Sequence, residues 1–202
     1  TFDGIPTLNG DEGVERRKVN PGTPIRLRLI NSDSAEQRFT LDGTRFRVVA
    51  IDGTDVNGPT PLEDATLAIG GGGRMDLELT MPAGPVRLSL DGTRAGIGFS
   101  PQRTPPRLAG TPGQVFDPLT YGTPSPTPFD ASSSFDRRFA FKITRKPGFY
   151  DGAPGLQWAI NGGIYPDVPM FVVEEGDLVE VTLTNDTKAI HPMHLHGHHV
   201  LV

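Results

Sequence analysis

The chain of 202 residues contains no cysteine. Disulfides, thiolate zinc ribbons and a thiol nucleophile are thereby excluded, and cysteine usage says nothing of the redox compartment. No histidine occurs before residue 191. No run reaches the roughly 18 consecutive apolar residues of a membrane span. Thr1 to Gly10 lacks the charged and apolar regions of a signal peptide and reads as mid-protein sequence. Excess positive charge is missing too. With a formal net charge of -5, the chain lacks the basic footprint that nucleic acid or an anionic membrane requires. Helical periodicity is also absent beyond a turn or two, the best candidate being Pro61 to Ala65.

What is present is alternation. Ile25, Leu27 and Leu29 alternate with Pro24, Arg26 and Arg28; Leu77 and Leu79 with Asp76 and Glu78; Val179, Val181 and Leu183 with Glu180, Thr182 and Thr184. A period of two marks strands with one buried face. Turn signals cut these runs at Pro21-Gly22, Asp42-Gly43, Asp52-Gly53, Asn57-Gly58, Gly70 to Gly73, Asp91-Gly92 and Glu175-Gly176. The pattern predicts an all-β protein of sandwich or barrel type. Between residues 101 and 134 alternation gives way to proline, serine and threonine, the composition of a linker. The expected organisation is one domain over 1–100, a linker over 101–134 and the beginning of a second domain over 135–202.

The two domains read as copies of one another. Val19 to Asn31 aligns without a gap on Val173 to Asn185, sharing Val, Gly, a β-branched residue, Leu and Asn. Leu8-Asn9-Gly10 matches Ile160-Asn161-Gly162 once two residues are inserted. The gapless register also sets Gln37, Thr40, Asp42 and Gly43 against His191, His194, His196 and Gly197. One copy carries imidazoles where its twin carries other polar side chains.

All five histidines fall in the last twelve residues: His191, His194, His196, His198 and His199. Imidazole is the commonest transition-metal ligand, so this crowding predicts a metal site. On a strand, His194, His196 and His198 would project to one side, with the rings of the first pair about 7 Å apart and able to feed two neighbouring ions. Pro192 sets His191 apart, which points to a different metal. Nitrogen ligation without cysteine favours copper over zinc. The interleaved Pro, Met, Leu and Gly argue against a purification tag.

Other candidates have simpler readings. Gly70 to Gly73 lacks the following Lys-Ser/Thr of a phosphate cradle and reads as a turn. Asp52, Asp55, Glu63 and Asp64 read as solvated loop residues. Trp158, with Phe149 and Tyr150, reads as a core or interdomain aromatic. Arg16-Arg17-Lys18 reads as a solvated edge.

The string HPMHLHGHH resembles the HPxHLHGH motif of the multicopper oxidases, the family of laccases, bilirubin oxidases, spore-coat oxidases and cuprous oxidases. Asn161-Gly162 with Tyr165-Pro166 resembles the ING…YP approach to that family's last cupredoxin domain. The resemblance implies two cupredoxin-like Greek-key β-sandwiches. The first is similar to the ligand-free second domain of three, the second to the opening part of the copper-binding third domain, truncated. It further implies that His191 ligates a type 1 copper, His194 the type 2 copper and His196 one of the type 3 pair. His198 would orient a ligand from outside the coordination sphere; His199 has no assigned role.

The implied activity is one-electron oxidation of a reducing substrate coupled to four-electron reduction of dioxygen to water. The implied partners are dioxygen, a small reductant that is phenolic, bilirubin-like or a metal ion, and the remaining domains of a parent chain, with a homo-oligomer compatible. An extracellular, periplasmic or cell-surface location goes with the resemblance. The family's His-Cys-His segment and paired His-x-His motifs do not occur in these residues, so the chain alone is expected to bind copper poorly and not to turn over. The rival reading is a non-catalytic cupredoxin-like module that holds or delivers copper. A purely structural pair of sandwiches comes third.

Overall fold

The computed structural model describes residues 6–102, 113–198 and 200–201. Among them every regular element is a strand, apart from one 3-10 turn at Pro118–Thr120. The chain divides into two compact units, Thr1–Ser125 and Pro126–Val202.

The first unit contains β1 (Val14–Lys18), β2 (Pro24–Ile30), β3 (Gln37–Asp42), β4 (Arg47–Ile51), β5 (Thr54–Asp55), β6 (Thr66–Ile69), β7 (Arg74–Thr80), β8 (Val86–Leu90) and β9 (Gly96–Ser100). They form two sheets, in the orders β1-β9-β8-β3-β6 and β2-β7-β4-β5. The alternation behaves as expected in β7, where Met75, Leu77 and Leu79 turn inward and Arg74, Asp76, Glu78 and Thr80 do not. Together with Leu29, Phe39, Leu41, Val48, Leu67 and Leu88 they make one continuous core. The opposite face of β2 and β7 carries charge, with Arg26 bridging Asp76 and Glu78.

Arg16, Arg17 and Lys18 lie on β1, an outermost strand of its sheet, in accord with their reading as an edge. The four-glycine run is a turn leading into β7. Gly72 has φ +79°, and a Cβ on Gly71 would stand 2.7 Å from the carbonyl oxygen of Asp33.

Part of the proline-rich stretch is fastened to this unit. Thr66 pairs with Val115 in a parallel bridge, and Phe116 is buried in the core. The Tyr121 hydroxyl accepts from the Val48 amide at 3.1 Å and donates to the Thr60 carbonyl at 2.6 Å. Composition reads this stretch as a linker because proline, serine and threonine dominate it; Phe116 and Tyr121 fasten part of it to the first unit.

Two polar atoms of the first unit, Asp42 Oδ2 and Arg87 Nε, are buried with no hydrogen-bond partner among the described residues. Thr40 Oγ1, by contrast, bonds Thr66 and Asp91; Asp42 is 6% exposed. Burial pushes its pKa up, and the neighbouring Asp64 and Asp91 charges push the same way, while Arg87 across the strand pair opposes them.

The second unit contains β10 (Arg137–Tyr150), β11 (Ala153–Ile160), β12 (Gly163–Ile164) and β13 (Val179–Asn185), in a single sheet ordered β12-β11-β10-β13. Only Ile143 and Ala159 are buried hydrophobics here among the described residues. Phe139 stacks on Phe171 with centroids 4.6 Å apart. β13 departs from expectation: Val181 and Leu183, assigned to a buried face by their alternation, are exposed. Among the described residues no second sheet lies on them. Trp158 is likewise half exposed rather than a core aromatic.

The internal copy is visible in backbone geometry. Asn9-Gly10 and Asn161-Gly162 both occupy the left-handed region, at φ +53° and +82° against +49° and +81°. Gly22 and Gly176, aligned in sequence, have φ +82° and +96°; Gly43 and Gly197 have +87° and +76°. These are conformations that glycine and asparagine tolerate best. Asn161 is also held by its side chain, accepting from the Lys142 amide at 2.8 Å and donating to the Ala140 carbonyl at 2.7 Å.

Candidate metal centre

β13 ends at Asn185, and the chain turns through Thr187 before reaching His191. Asn185 makes the turn: its Oδ1 accepts from the Thr187 amide at 2.9 Å, and its Nδ2 donates to the Ala189 carbonyl at 2.8 Å. Such side-chain bonds to nearby backbone are what asparagine contributes at turns. They deliver His191, half-buried, to the side chain of Trp158 on β11. There its ring meets Trp158 edge to face with centroids 4.7 Å apart, and its Nε2 lies 2.9 Å from Thr187 Oγ1. Arg145, the β10 residue paired with Trp158, places its guanidinium 4.5 Å from the indole centroid.

His194 and His196 lie together, as the motif predicts, but not as a strand would hold them. Residues 191–198 form no ladder; the backbone is irregular and turns at His196 and Gly197. The two rings are 4.8 Å apart and nearly perpendicular, at 78°, rather than parallel at strand spacing. The physical reason is the missing neighbour. In the twin segment β3 is paired on both sides, by β6 and β8, whereas the histidine segment pairs with no strand among the described residues. A common projection of His198 with the pair therefore has no basis here. His198 is exposed, and His199 and Val202 lie outside the described residues.

No group of three or more His, Asp or Glu side chains converges on one point among the described residues. The donor set nonetheless fits copper in kind, since it consists of imidazoles, with His194 and His196 adjacent and His191 beside different neighbours. Such an arrangement can supply ligands to separate ions but does not enclose any one of them. Gly70 to Gly73 remains a turn, and Asp52 spends its carboxylate on the Arg74 amide at 2.8 Å. Thr187 and Arg145 carry no motif of their own. The signal for Thr187 is the internal alignment, which sets it opposite Asp33.

Two family models described as multicopper oxidase match this chain, one over residues 3–87 and the other over 123–202. The multicopper oxidase MmcO of Mycobacterium tuberculosis is 32% identical over 200 residues, covering 90% of this chain and 36% of MmcO. The chain thus spans about a third of the length of that relative. Among solved structures, Fet3p, a multicopper oxidase that functions in iron import, aligns with TM-score 0.61 at 15% identity. That alignment covers 85% of this chain and 40% of Fet3p. McoA of Aquifex aeolicus aligns with TM-score 0.56 at 18% identity, over 90% of this chain and 42% of its own. At these identities the structures speak to the fold, the all-β architecture that the alternation predicts in the cupredoxin-like form that the resemblance implies. With two family models spanning most of its length and a curated relative along nearly all of it, the chain belongs to the multicopper oxidase family.

Proposed function

We propose that this chain is part of an oxidase that takes single electrons from a small reductant and passes four to dioxygen, giving water. His191 ligates the type 1 copper, His194 the type 2 copper and His196 one of the type 3 pair, with His198 orienting a ligand. The observation that carries this reading is the separation of the histidines into a ring at Trp158 and a distinct adjacent pair. Copper, when bound, supplies one-electron redox chemistry. The protein's own part is to present neutral imidazole nitrogens and to hold their rings. Trp158 packs on one side of His191, and Thr187 fastens its Nε2.

Four one-electron oxidations of substrate supply the four electrons consumed per dioxygen, and the four protons come from a phenolic or bilirubin-like substrate or, with a metal ion, from solvent. The reductant is phenolic, bilirubin-like or a metal ion. The complete enzyme works outside the cytoplasm, with its remaining domains supplying the other ligands, and the chain by itself does not turn over.

Equilibrium dialysis against copper tests the assignment. In the full parent chain, His194→Ala should weaken retention of the type 2 copper, His196→Ala that of the type 3 pair and His191→Ala that of the type 1 copper. Equal retention of copper by all variants would overturn it. Restoring the chain to its full parent should produce dioxygen uptake with a reductant, and loss of uptake on His191→Ala is expected.

A further inference from the structure

The hydrogen bond between Thr187 and His191 has a direction that its neighbours determine. Thr187 Oγ1 carries one proton and two lone pairs. It stands 2.6 Å from Asn185 Oδ1, 2.9 Å from His191 Nε2 and 3.3 Å from the Ala189 amide. Asn185 Oδ1 is an acceptor, because the same amide's Nδ2 donates to the Ala189 carbonyl and its oxygen already receives the Thr187 amide. Two oxygens 2.6 Å apart need the hydroxyl proton between them, so it goes to Asn185 rather than to the Ala189 carbonyl oxygen at 3.4 Å. The Ala189 amide can only donate, so it takes one lone pair of Oγ1. The remaining lone pair faces His191, whose Nε2 must carry a proton to use it.

The twin segment repeats this arrangement with different side chains. Asn31, aligned with Asn185, accepts from the Asp33 amide at 3.0 Å and donates to the Ala35 carbonyl at 2.7 Å. Asp33 stands at the position of Thr187, and Gln37, at the position of His191, reaches its carboxylate through Nε2 at 3.2 Å. The Ser34 amide, donating to Asp33, lowers that carboxyl's pKa. An ionised carboxylate only accepts, so in the copy without imidazoles the bond runs the same way, from the side chain at the histidine position to the one four residues earlier.

We infer that Asn185 and Thr187 are positioning residues that hold His191 as its Nε2-protonated tautomer, leaving Nδ1 as the nitrogen free to ligate a metal. The relay assigns one ring nitrogen to the protein and the other to the ion before any ion arrives. It rests on the reading of His191 as a ligand, but its hydrogen-bond direction is fixed without metal. A ligand nitrogen is commonly set by the bond its partner nitrogen makes.

Nitrogen-15 long-range correlation spectra of the metal-free 202-residue chain test it, recorded at about pH 8.5, where imidazole is neutral. The expected result is a single His191 tautomer protonated at Nε2, with its ring proton protected from solvent. Thr187→Ser should retain both properties. Thr187→Val should accelerate ring-proton exchange about tenfold, the scale of one lost hydrogen bond.

An Nδ1-protonated His191 in the unaltered chain would overturn the relay without any variant. So would unchanged protection in Thr187→Val, or loss of protection in Thr187→Ser. Cuprous ion added without oxygen then separates the two levels. A shift of His191 Nδ1 with Nε2 still protonated supports both. Binding through Nε2 overturns the relay, and no shift at any histidine counts against the copper reading while the tautomer judges the relay.

Discussion

The imidazole of His191 meets the indole of Trp158 edge to face, with planes at 86°. Trp158 is the only tryptophan of the chain, so indole fluorescence reports on this one place. Cupric ion bound at His191 should quench that emission, and His191→Ala should abolish the quenching while leaving the emission itself. Quenching of equal strength in the variant would place the ion elsewhere. Trp158→Ala should cost the unit about 1 kcal/mol, from the lost aromatic pair and the lost Arg145 contact, as read by urea denaturation.

The two units should answer differently to loss of a leucine. Leu67 is fully buried in the first unit and Leu183 is 55% exposed on β13. Leu67→Ala is expected to cost about 2–5 kcal/mol by cavity formation, whereas Leu183→Ala should stay within about 0.5 kcal/mol. Urea titrations of both variants provide the comparison. Equal losses would contradict the exposure of β13.

Asp42 should make the first unit less stable as pH rises. Its folded pKa lies above the ordinary value of 3.8, chiefly through burial, so the folded state holds the proton more tightly than the unfolded chain. The stability it contributes is complete below that ordinary value and is lost as pH climbs through the raised one. Asp42→Asn should therefore raise the melting temperature at neutral pH and flatten the pH dependence. The attraction of Arg87, which the variant forfeits, is smaller than the cost of burying the charge, which it relieves. A variant less stable at neutral pH would show the reverse balance.

Tyr121→Phe should free part of the proline-rich stretch. The hydroxyl serves the Val48 amide and the Thr60 carbonyl, and removing it strands a partly buried donor at a cost of about 1–3 kcal/mol. Limited proteolysis should then cut nearer to Tyr121 and faster than in the parent. An unchanged cleavage pattern would mean that Phe116 alone fastens the segment.

Alternation placed β2 and β7 correctly because both faces of those strands find the environment their residues ask for. It failed for β13, since period two specifies which residues share a face but not whether anything covers it. The repeat was legible at the residues with left-handed backbone, Asn9 and Asn161 among them, where few side chains fit. The histidine motif marked His194 and His196 as a pair of candidate ligands, but not the geometry in which their rings meet. A strand is completed by its neighbour, and the sequence of one segment does not contain that neighbour. Thr187 carries only its alignment opposite Asp33 as a signal, because a turn hydroxyl has no signature of its own until its partners are in place.

Asn161 also gives the protein a chemical clock. An asparagine followed by glycine is prone to lose ammonia over time, and both hydrogen-bonding atoms of this amide are in use. Conversion to aspartate would keep the bond from the Lys142 amide but set a carboxylate oxygen against the Ala140 carbonyl. Ageing at that residue would thus loosen the hold of β10 on the turn between β11 and β12.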